Sequence, residues 1–370
     1  MAGTRAVIRG SGVYDPEHVI SNAELAGSYN AFVARRQAAG DGAELARVDE
    51  AYIVKSSGIR SRRVVDKEGI LDAERMRPRL RRRAASEVSL QAEIGLYAAR
   101  RALEAADADP AGLGLVIVAA TALERAYPAI AIELQQLLGA RQAFAFDMNA
   151  ACSSATFAMA MAADAIAAGT VRSALVVSPE LATAQVDFRD RQSHFIFGDG
   201  AAAALLQAEQ PGGEATGFRI LGHAQHTEFS NAIRNDFGFL EPCFDEDAGA
   251  TPAQTFRQNG VRVMRDVVPM ASRHILAQLE ALSLAPQDVA RVWLHQANAH
   301  INKLICQKVF GRAVDEARAP SILAERGNLA AAGALAAFSE FHDDLPPGAV
   351  GVICSFGAGY SVGSLVVQRV

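Results

Sequence analysis

The apolar run Ser173-Ala174-Leu175-Val176-Val177-Ser178 recurs near the end of the chain as Ala349-Val350-Gly351-Val352-Ile353-Cys354. Short apolar runs without polar alternation are typical of strands that are covered on both faces. A spacing that holds through several elements indicates a duplicated fold. The spacing between Ser173 and Ala349 also relates a second pair of apolar runs and a pair of alanine-rich, helix-like stretches: residues 113–120 and 289–297, and residues 153–168 and 329–341.

This repeat predicts an α/β protein of two similar halves, each with a mixed central sheet, stacked about a pseudo-twofold axis. The break Gln210-Pro211-Gly212-Gly213-Glu214 sets the expected boundary, with residues 1–210 as the N-terminal half and residues 214–370 as the C-terminal half. Two stretches of the first half have no counterpart in the second. They are residues 28–49, predicted to be helical, and residues 66–86, which contain six arginines between Arg75 and Arg83.

The arginine-rich stretch has two interpretations. It is either a basic landing site for an acidic partner or a surface loop whose arginines are solvated or ion-paired. From the residues alone, the second interpretation is favoured.

Composition narrows the class of protein. Half of the 370 residues are hydrophobic and 21% are charged, which excludes a disordered chain. The net charge of -5 gives no indication of nucleic-acid binding. Four irregularly spaced cysteines form neither a disulfide framework nor a zinc site. We expect a cytoplasmic protein without a membrane span, because the start resembles a short strand and no apolar stretch is long enough to cross a bilayer.

The repeat brings two polar residues to equivalent positions, because Cys152 and Asn328 are related by the same spacing and each precedes an alanine-rich helix. The pseudo-twofold axis should bring these helix starts together in the middle of the fold. Free backbone N–H groups and the positive end of the helix dipole favour a thiolate, which makes Cys152 a candidate nucleophile. Asn328 can cap its helix and still offer an amide donor.

Two further features are expected in this central region. His295 ends an apolar strand, a position where α/β proteins often carry active-site residues. Gly357-Ala358-Gly359 follows another buried strand, and small residues there permit close backbone approach to a ligand and donation to an oxyanion. The other three cysteines are weaker candidates: Cys243 in a loop, Cys306 on an apolar helical face, and Cys354 in a buried strand.

With these residues assembled, the sequence resembles the thiolase superfamily and, within it, β-ketoacyl-acyl-carrier-protein synthase III. The resemblance covers nearly the whole chain. It is carried by an ordered set of segments: residues 57–63, Asp147 to Ser154, Phe197-Gly198-Asp199-Gly200-Ala201, His295-Gln296-Ala297-Asn298, Gly327-Asn328, and Phe356-Gly357-Ala358-Gly359-Tyr360 with Gly363-Ser364.

The resemblance implies a five-layered α-β-α-β-α fold, a homodimer and a two-stage reaction of fatty acid biosynthesis or a related pathway. Cys152 would take an acyl group from an acyl-CoA or acyl-carrier-protein primer. His295, through Nε2–H, and Asn328 would stabilise the enolate formed when malonyl-carrier protein loses CO2. The backbone N–H groups of Cys152 and Ala358 would form the oxyanion hole. No cofactor or metal is implied beyond these substrates.

The entrance departs from the usual family pattern. Tyr52 stands where the resemblance places a tryptophan that packs on adenine, and Ser56 stands where it places an arginine. Tyr127 matches an aromatic residue that reaches across the dimer to the primer pocket, and Phe356 and Gly357 are expected to line the substrate site. Because carrier proteins are acidic, the resemblance gives more support to the partner-binding interpretation of the loop from Arg75 to Arg83.

Several alternatives remain open. A degradative thiolase would need a second cysteine at position 355, but Ser355 is there and Cys354 faces the other side of the strand. A hydroxymethylglutaryl-CoA synthase would need a catalytic glutamate, and no matching motif is present. A same-fold acyltransferase or a non-decarboxylative condensing enzyme stays possible. So does a non-catalytic subunit that binds acyl thioesters or serves as a scaffold.

Overall fold

The computed structural model describes residues 4–209, 216–236 and 255–370. The expected half boundary at residues 210–214 and the loop cysteine Cys243 lie outside these ranges. The strands are β1 (Ala6–Tyr14), β2 (His18–Ser21), β3 (Ser61–Val64), β4 (Leu115–Ala119), β5 (Phe144–Met148), β6 (Ser173–Glu180), β7 (Gly200–Ala208), β8 (Phe218–Ser230), β9 (Ile233–Arg234), β10 (Arg257–Gln258), β11 (Val289–Leu294), β12 (Val350–Gly357) and β13 (Gly359–Arg369).

The α-helices are α1 (Asn22–Ala38), α2 (Glu50–Ser57), α3 (Glu68–Leu71), α4 (Leu90–Ala105), α5 (Ile130–Leu138), α6 (Ser154–Ala167), α7 (Gly260–Ala281), α8 (Ala299–Phe310), α9 (Leu323–Arg326) and α10 (Gly333–Glu340). Short 3-10 turns occupy Pro110–Gly112, Ala182–Gln185, Pro286–Asp288 and Ala330–Ala332. None of the described helices is both long enough and apolar enough to span a lipid bilayer.

Nine of the described strands form one mixed sheet in the order β11-β12-β13-β8-β1-β7-β6-β4-β5. Strands β4, β5 and β6 run parallel, and β7 is antiparallel to both β6 and β1. Likewise β11 and β12 run parallel, and β13 is antiparallel to both β12 and β8. One connectivity is therefore used twice, with β1, β4, β6 and β7 matching β8, β11, β12 and β13. The strands therefore form two parts, the first sheet and the second sheet, which join where Val7 and Ile8 pair with Arg219 and Phe218.

Neighbouring side chains along a strand point to opposite faces of the sheet. The residues on each face therefore show which layers the sheets separate. On β4, Ile117 faces the core between the two halves, whereas Val116 faces α4 and α5. On β12, Ile353 faces that same central core, whereas Val352 and Cys354 face α7 and α8. The order of layers is helices, sheet, helices, sheet, helices, which is the thiolase-like five-layered fold that the sequence predicts.

Helices α6 and α10 form the middle layer. Helix α6 contacts β4, β6 and β7 on one side and β8, β12 and β13 on the other. Helix α10 contacts β1 and β7 as well as β11 and β12. Both helices are rich in alanine, which lets two sheets approach one helical layer closely.

The spacing of the repeat differs between elements. The 3-10 turns that begin at Pro110 and Pro286 keep the spacing expected from the sequence. Strands β6 and β12, in contrast, are one position further apart, because the counterpart of Ser173 at the strand start is Val350. The predicted alignment of Ser173 with Ala349 is therefore wrong by one position. The inward side chain Val176 corresponds to Ile353, and a shift by one position in a strand reverses its faces.

The prediction of a helix over residues 28–49 is correct only in part. Helix α1 begins earlier, because Ser21 and Glu24 form a capping box at its start. It ends at Ala38, and Gly40 and Gly42 follow with φ of 80° and 87°, a left-handed conformation that does not continue a helix.

The arginine-rich stretch 66–86 is mostly irregular, with only α3 inside it. Three of its arginines form ion pairs within or close to the loop: Arg79 with Asp72 at 2.9 Å, Arg81 with Glu87 at 2.6 Å, and Arg83 with Glu93 at 2.6 Å. Arg75 donates to the carbonyls of Arg77 and Pro78. These contacts are those expected of an ion-paired surface loop.

The contact between β1 and α4 leaves no room for a side chain at Gly12. An added Cβ would lie 2.5 Å from the Ala98 carbonyl oxygen and 2.7 Å from the Ala102 nitrogen. We expect Gly12→Ala to lower the free energy of unfolding by about 1–3 kcal/mol, measured by urea denaturation. Gly27→Ala is the matched control, because that exposed position in α1 has open space around it and alanine there should stabilise by about 0.5–1 kcal/mol. Equal effects of the two substitutions would contradict the packing argument.

Candidate active site

Cys152 lies in the turn between β5 and α6. The Asn149 side chain fixes this turn, since its amide nitrogen donates to the Thr121 carbonyl at 3.0 Å and its oxygen accepts from the Ala151 N–H at 2.9 Å. Ala151 has a φ of 49°. Ser154 closes the turn by accepting the Ala150 N–H at 2.8 Å. Cys152 therefore sits on a rigid turn just before the start of the helix.

The Cys152 thiol is held in its neutral form. Burial raises its pKa to about 12, and the negative charge of Glu180 acts in the same direction. Hydrogen bonds from the backbone N–H groups of Ala358 and of Cys152 itself lower the pKa but do not compensate. Desolvation therefore opposes the thiolate that the helix start is expected to favour.

His295 follows β11, and its backbone N–H donates to the Cys354 carbonyl at 2.8 Å. The residue is 2% exposed, and its ring stands edge-on to Phe356 with ring centroids 5.2 Å apart. Its Nδ1 atom has no hydrogen-bond partner among the described residues. Burial lowers the pKa of His295 to about 4, so the imidazole is neutral at physiological pH.

Asn328 is held by its backbone and by its side chain. Its N–H donates to the Ile196 carbonyl at 2.9 Å, and its carbonyl accepts from Gly198 at 3.2 Å. The side-chain oxygen accepts the Ala330 N–H at 2.9 Å. This assignment fixes the amide orientation and leaves the Nδ2–H groups for donation, so capping and an amide donor coexist as expected.

Ala358 forms the turn between β12 and β13, next to the nucleophile. An added Cβ at Gly357 would lie 2.5 Å from Cys152 Cβ and 2.9 Å from its sulfur, which shows how closely the turn approaches Cys152. The Ser361 hydroxyl lies 3.0 Å from the Ala358 carbonyl and 3.1 Å from the Ala150 carbonyl. Ser361, which sequence reasoning missed, therefore links this turn to the nucleophile turn.

A cavity of about 710 Å³ runs from the protein surface to Cys152. Its mouth is lined by the exposed residues Lys55, Gln192 and Val261. All three predicted catalytic residues line this cavity, and so do three of the four predicted substrate residues: Cys152, His295 and Asn328, and Tyr52, Phe356 and Gly357. The fourth, Tyr127, is 84% exposed and lines neither this cavity nor the next.

A second, smaller and mainly apolar cavity also borders Cys152. Its lining includes Ala182, Phe197, Phe256 and Ala358, with Thr121, Gln185 and Asn235 as a polar part. Cys152 borders both cavities. Cys152 is thus shared by a wide cavity that opens to the surface and a small apolar chamber.

Arg191 is a further residue of the large cavity that the sequence did not reveal. Its guanidinium carbon lies 4.1 Å from the centre of the Tyr52 ring, and Nη1 donates to the Tyr52 hydroxyl at 3.3 Å. Arg191 belongs to an irregular segment. Such a segment has no helix or strand periodicity from which the direction of a side chain could be predicted. A flat cation and an aromatic ring face each other at the mouth, an arrangement that suits a planar base and phosphates.

The tight fit at Gly357 leads to a prediction. Gly357→Ala should displace Cys152 and slow its acylation by an acyl thioester about a hundredfold, as expected for a misplaced reacting group. The measurement is the rate of acylation by intact mass, with the thermal unfolding midpoint recorded in parallel. Gly112→Ala is the control, since a Cβ there meets nothing within 4 Å. An unchanged acylation rate in Gly357→Ala would contradict the geometry.

The chain is similar to known proteins over nearly its whole length. Residues 146–228 match the family profile of 3-oxoacyl-[acyl-carrier-protein] synthase III, and residues 279–369 match its C-terminal profile. The chain is 44% identical to the beta-ketodecanoyl-[acyl-carrier-protein] synthase of Pseudomonas aeruginosa PAO1, over 92% of this chain and 99% of that one. It is 31% identical to the beta-ketoacyl-[acyl-carrier-protein] synthase III of Methylococcus capsulatus Bath, over 98% of both.

A solved structure supports the same relationship. The crystal structure of 3-oxoacyl-(acyl carrier protein) synthase III from Pseudomonas aeruginosa PAO1 superposes with a TM-score of 0.77 at 25% identity, covering 99% of this chain and 98% of that one. The chain therefore belongs to the 3-oxoacyl-(acyl-carrier-protein) synthase III family of thiolase-fold condensing acyltransferases.

Proposed function

We propose that the protein condenses an eight-carbon acyl primer with malonyl-acyl-carrier protein, through an acyl-Cys152 intermediate, and releases β-ketodecanoyl-acyl-carrier protein. One observation carries the proposal: Cys152 borders both a small apolar chamber and the cavity that contains His295 and Asn328. The chamber suits the acyl chain, and the cavity suits the malonyl thioester. The length comes from the relative named for a β-ketodecanoyl product, since two of the ten carbons derive from malonyl after CO2 is lost.

In the first stage, the Cys152 sulfur attacks the primer carbonyl. The thiol is neutral, so its proton must leave as the new C–S bond forms, and it passes to the departing thiolate of the primer. The carbonyl oxygen gains negative charge between the N–H groups of Cys152 and Ala358. Each such donor is worth on the order of 3 kcal/mol of transition-state stabilisation.

In the second stage, the C–C bond to the malonyl carboxylate breaks and its electron pair forms an enolate. His295 Nε2–H and Asn328 Nδ2–H donate to the thioester oxygen that carries this charge. Neutral donors suit the step because both are buried and neither must lose a proton. The enolate carbon then attacks the acyl carbonyl, the C–S bond to Cys152 breaks, and the released thiolate takes up one proton from solvent through the open cavity.

The proposed condensing enzyme needs the Asn328 amide for decarboxylation, whereas a same-fold acyltransferase does not. Asn328→Asp keeps an oxygen for the Ala330 N–H but removes the amide donor, so the turn should survive. We expect Cys152 to be acylated at nearly the wild-type rate and condensation to fall about a hundred- to a thousandfold. If the wild type forms no β-keto product and Asn328→Asp keeps full acyl-transfer activity, acyl transfer without decarboxylation is favoured.

The same intact-mass experiment tests the primer. Cys152 is exposed to acyl-CoAs from two to twelve carbons and then to malonyl-carrier protein, with Cys152→Ala as the control. The eight-carbon primer should acylate fastest and be discharged as a β-keto product. Fastest acylation by another length would overturn the chain-length proposal, and no acylation by any of them would favour a non-catalytic subunit.

For the primer donor we propose acyl-CoA, held at the mouth by Tyr52, Arg191 and Lys55. The guanidinium over the Tyr52 ring suits adenine and phosphate, and Lys55 is next to the position where the family resemblance places an arginine. The mouth residues are also better placed than the loop from Arg75 to Arg83 to meet an acidic carrier protein, because three of the loop's arginines are paired with nearby acids.

Arg191→Ala should raise the KM for octanoyl-CoA about tenfold while kcat changes little, since the lost contacts bind the donor away from the reacting atoms. Steady-state kinetics over a range of octanoyl-CoA concentrations measure both constants. Arg189→Ala is the control, because Arg189 pairs with Asp187 at 2.8 Å and does not line the cavity. A loss of kcat without a change in KM would contradict a binding role for Arg191.

We also propose a homodimer formed through β5, an edge strand of the main sheet. Phe144 and Phe146 on this strand are 48% and 37% exposed, and Ile132 and Tyr127 nearby in sequence are exposed as well. An open apolar edge strand favours pairing with a second chain. Tyr127 would then serve the primer chamber of the partner rather than its own.

A further inference from the structure

Glu180, the last residue of β6, is a buried acid that the proposed reaction does not use. The residue has no exposed surface, and hydrogen bonds hold both of its carboxyl oxygens. Oε1 accepts the N–H groups of Thr121 at 2.8 Å and Ala331 at 3.2 Å, and Oε2 lies 2.6 Å from the Thr121 hydroxyl. The two partners come from different halves of the fold, because Thr121 follows β4 and Ala331 lies in the turn before α10.

One set of contacts leads to the nucleophile. The Thr121 carbonyl accepts from the Asn149 side chain at 3.0 Å, and Asn149 in turn accepts the Ala151 N–H at 2.9 Å. Ala151 directly precedes Cys152. The Glu180 carboxyl therefore supports the turn that carries the nucleophile.

The other set leads to the amide donor. Ala331 follows Ala330, whose N–H donates to the Asn328 side-chain oxygen at 2.9 Å. By holding the Ala331 N–H, Glu180 fixes the turn that orients Asn328. A single carboxyl thus lies behind both of the turns that face the substrate.

The surroundings disfavour a negative charge on Glu180. No lysine or arginine forms an ion pair with it within the part of the chain that the structure describes. The ionisable groups that face it are both acidic: Asp199, just before β7, and Cys152, just before α6. Burial, as the largest cause, raises the pKa of Glu180 to about 8. The hydrogen bonds from Thr121 and Ala331 lower the pKa of Glu180 but do not compensate for its burial.

We propose that Glu180 is a positioning residue that works in its protonated form: neutral, it ties the Cys152 and Asn328 turns together, and ionised, its charge holds Cys152 as the unreactive thiol. The site then carries an internal limit on reactivity toward alkaline pH. The inference rests on the proposed function only in taking Cys152 as the nucleophile.

The test measures alkylation of Cys152 by iodoacetamide between pH 6 and pH 10, followed by intact mass with peptide mapping. In the wild type the rate should rise with pH and flatten in part just above pH 8, where the slope falls to about half because a newly formed carboxylate opposes the thiolate; the rate should then steepen again toward pH 10. Glu180→Gln keeps the size and one acceptor oxygen but cannot ionise. Its rate should match the wild type at pH 6, rise without flattening, and exceed the wild type about tenfold at pH 10, which corresponds to one pKa unit.

Thr121→Val supplies a second variant if Glu180→Gln fails to fold. The Thr121 hydroxyl lowers the pKa of Glu180, so its loss should move the flattening to higher pH. Glu133→Gln is the control, because that acid pairs with Arg125 and lines neither cavity, and it should leave the profile unchanged.

Parallel profiles for the wild type and Glu180→Gln over the whole range would overturn the proposal, as would a flattening point that Thr121→Val does not move. Alkylation needs neither an acyl primer nor malonyl-carrier protein. A wrong primer length or a missing condensation step would therefore leave this result intact, and the two proposals fail separately.

Discussion

The site depends on the close packing of two sheets against one layer of two helices. Helices α6 and α10 each contact strands of both halves, and the layer tolerates this only because most of its buried side chains are alanine. Bulky side chains would force the sheets apart, since protein interiors are close-packed. Because both helices start near the centre of the molecule, the turns before them face a common cavity. The alanine-rich composition of these segments thus positions Cys152 and Asn328.

Burial at the centre decides the electrostatics of the site. Cys152 is a neutral thiol and His295 a neutral imidazole, and the proposed oxyanion donors are backbone N–H groups that carry no net charge. A site of this kind holds no fixed charge at the reacting atoms until the reaction creates one. Oriented dipoles in a poorly solvated cavity then stabilise that charge without reorganising. The same burial explains why a helix terminus alone does not produce a thiolate at Cys152.

The sequence predicted the parts of the protein that depend on hydrophobic patterns and on the internal repeat. The apolar runs and the repeat indicated the layers, and the equivalence of Cys152 with Asn328 indicated two of the site's residues. The two positions also share a backbone feature. Ala151, before Cys152, and Gly327, before Asn328, both have a positive φ. Arg191 escaped prediction because it reaches Tyr52 from an irregular segment. The shift of β12 by one position was equally hidden, since both registers of that run are apolar.

The shift by one position makes the two halves complementary at the site. Strands β6 and β12 end at Glu180 and Gly357, which therefore correspond, and each strand end meets the helix start of the opposite half. Glu180 reaches the Asn328 turn through the Ala331 N–H, whereas Gly357 approaches Cys152 so closely that no side chain fits. Glu180 and Gly357 therefore occupy equivalent positions but act differently. The Glu180 carboxyl holds the Asn328 turn, whereas Gly357 leaves space for the Cys152 turn. The missing side chain at Gly357 therefore leaves the space that Cys152 occupies.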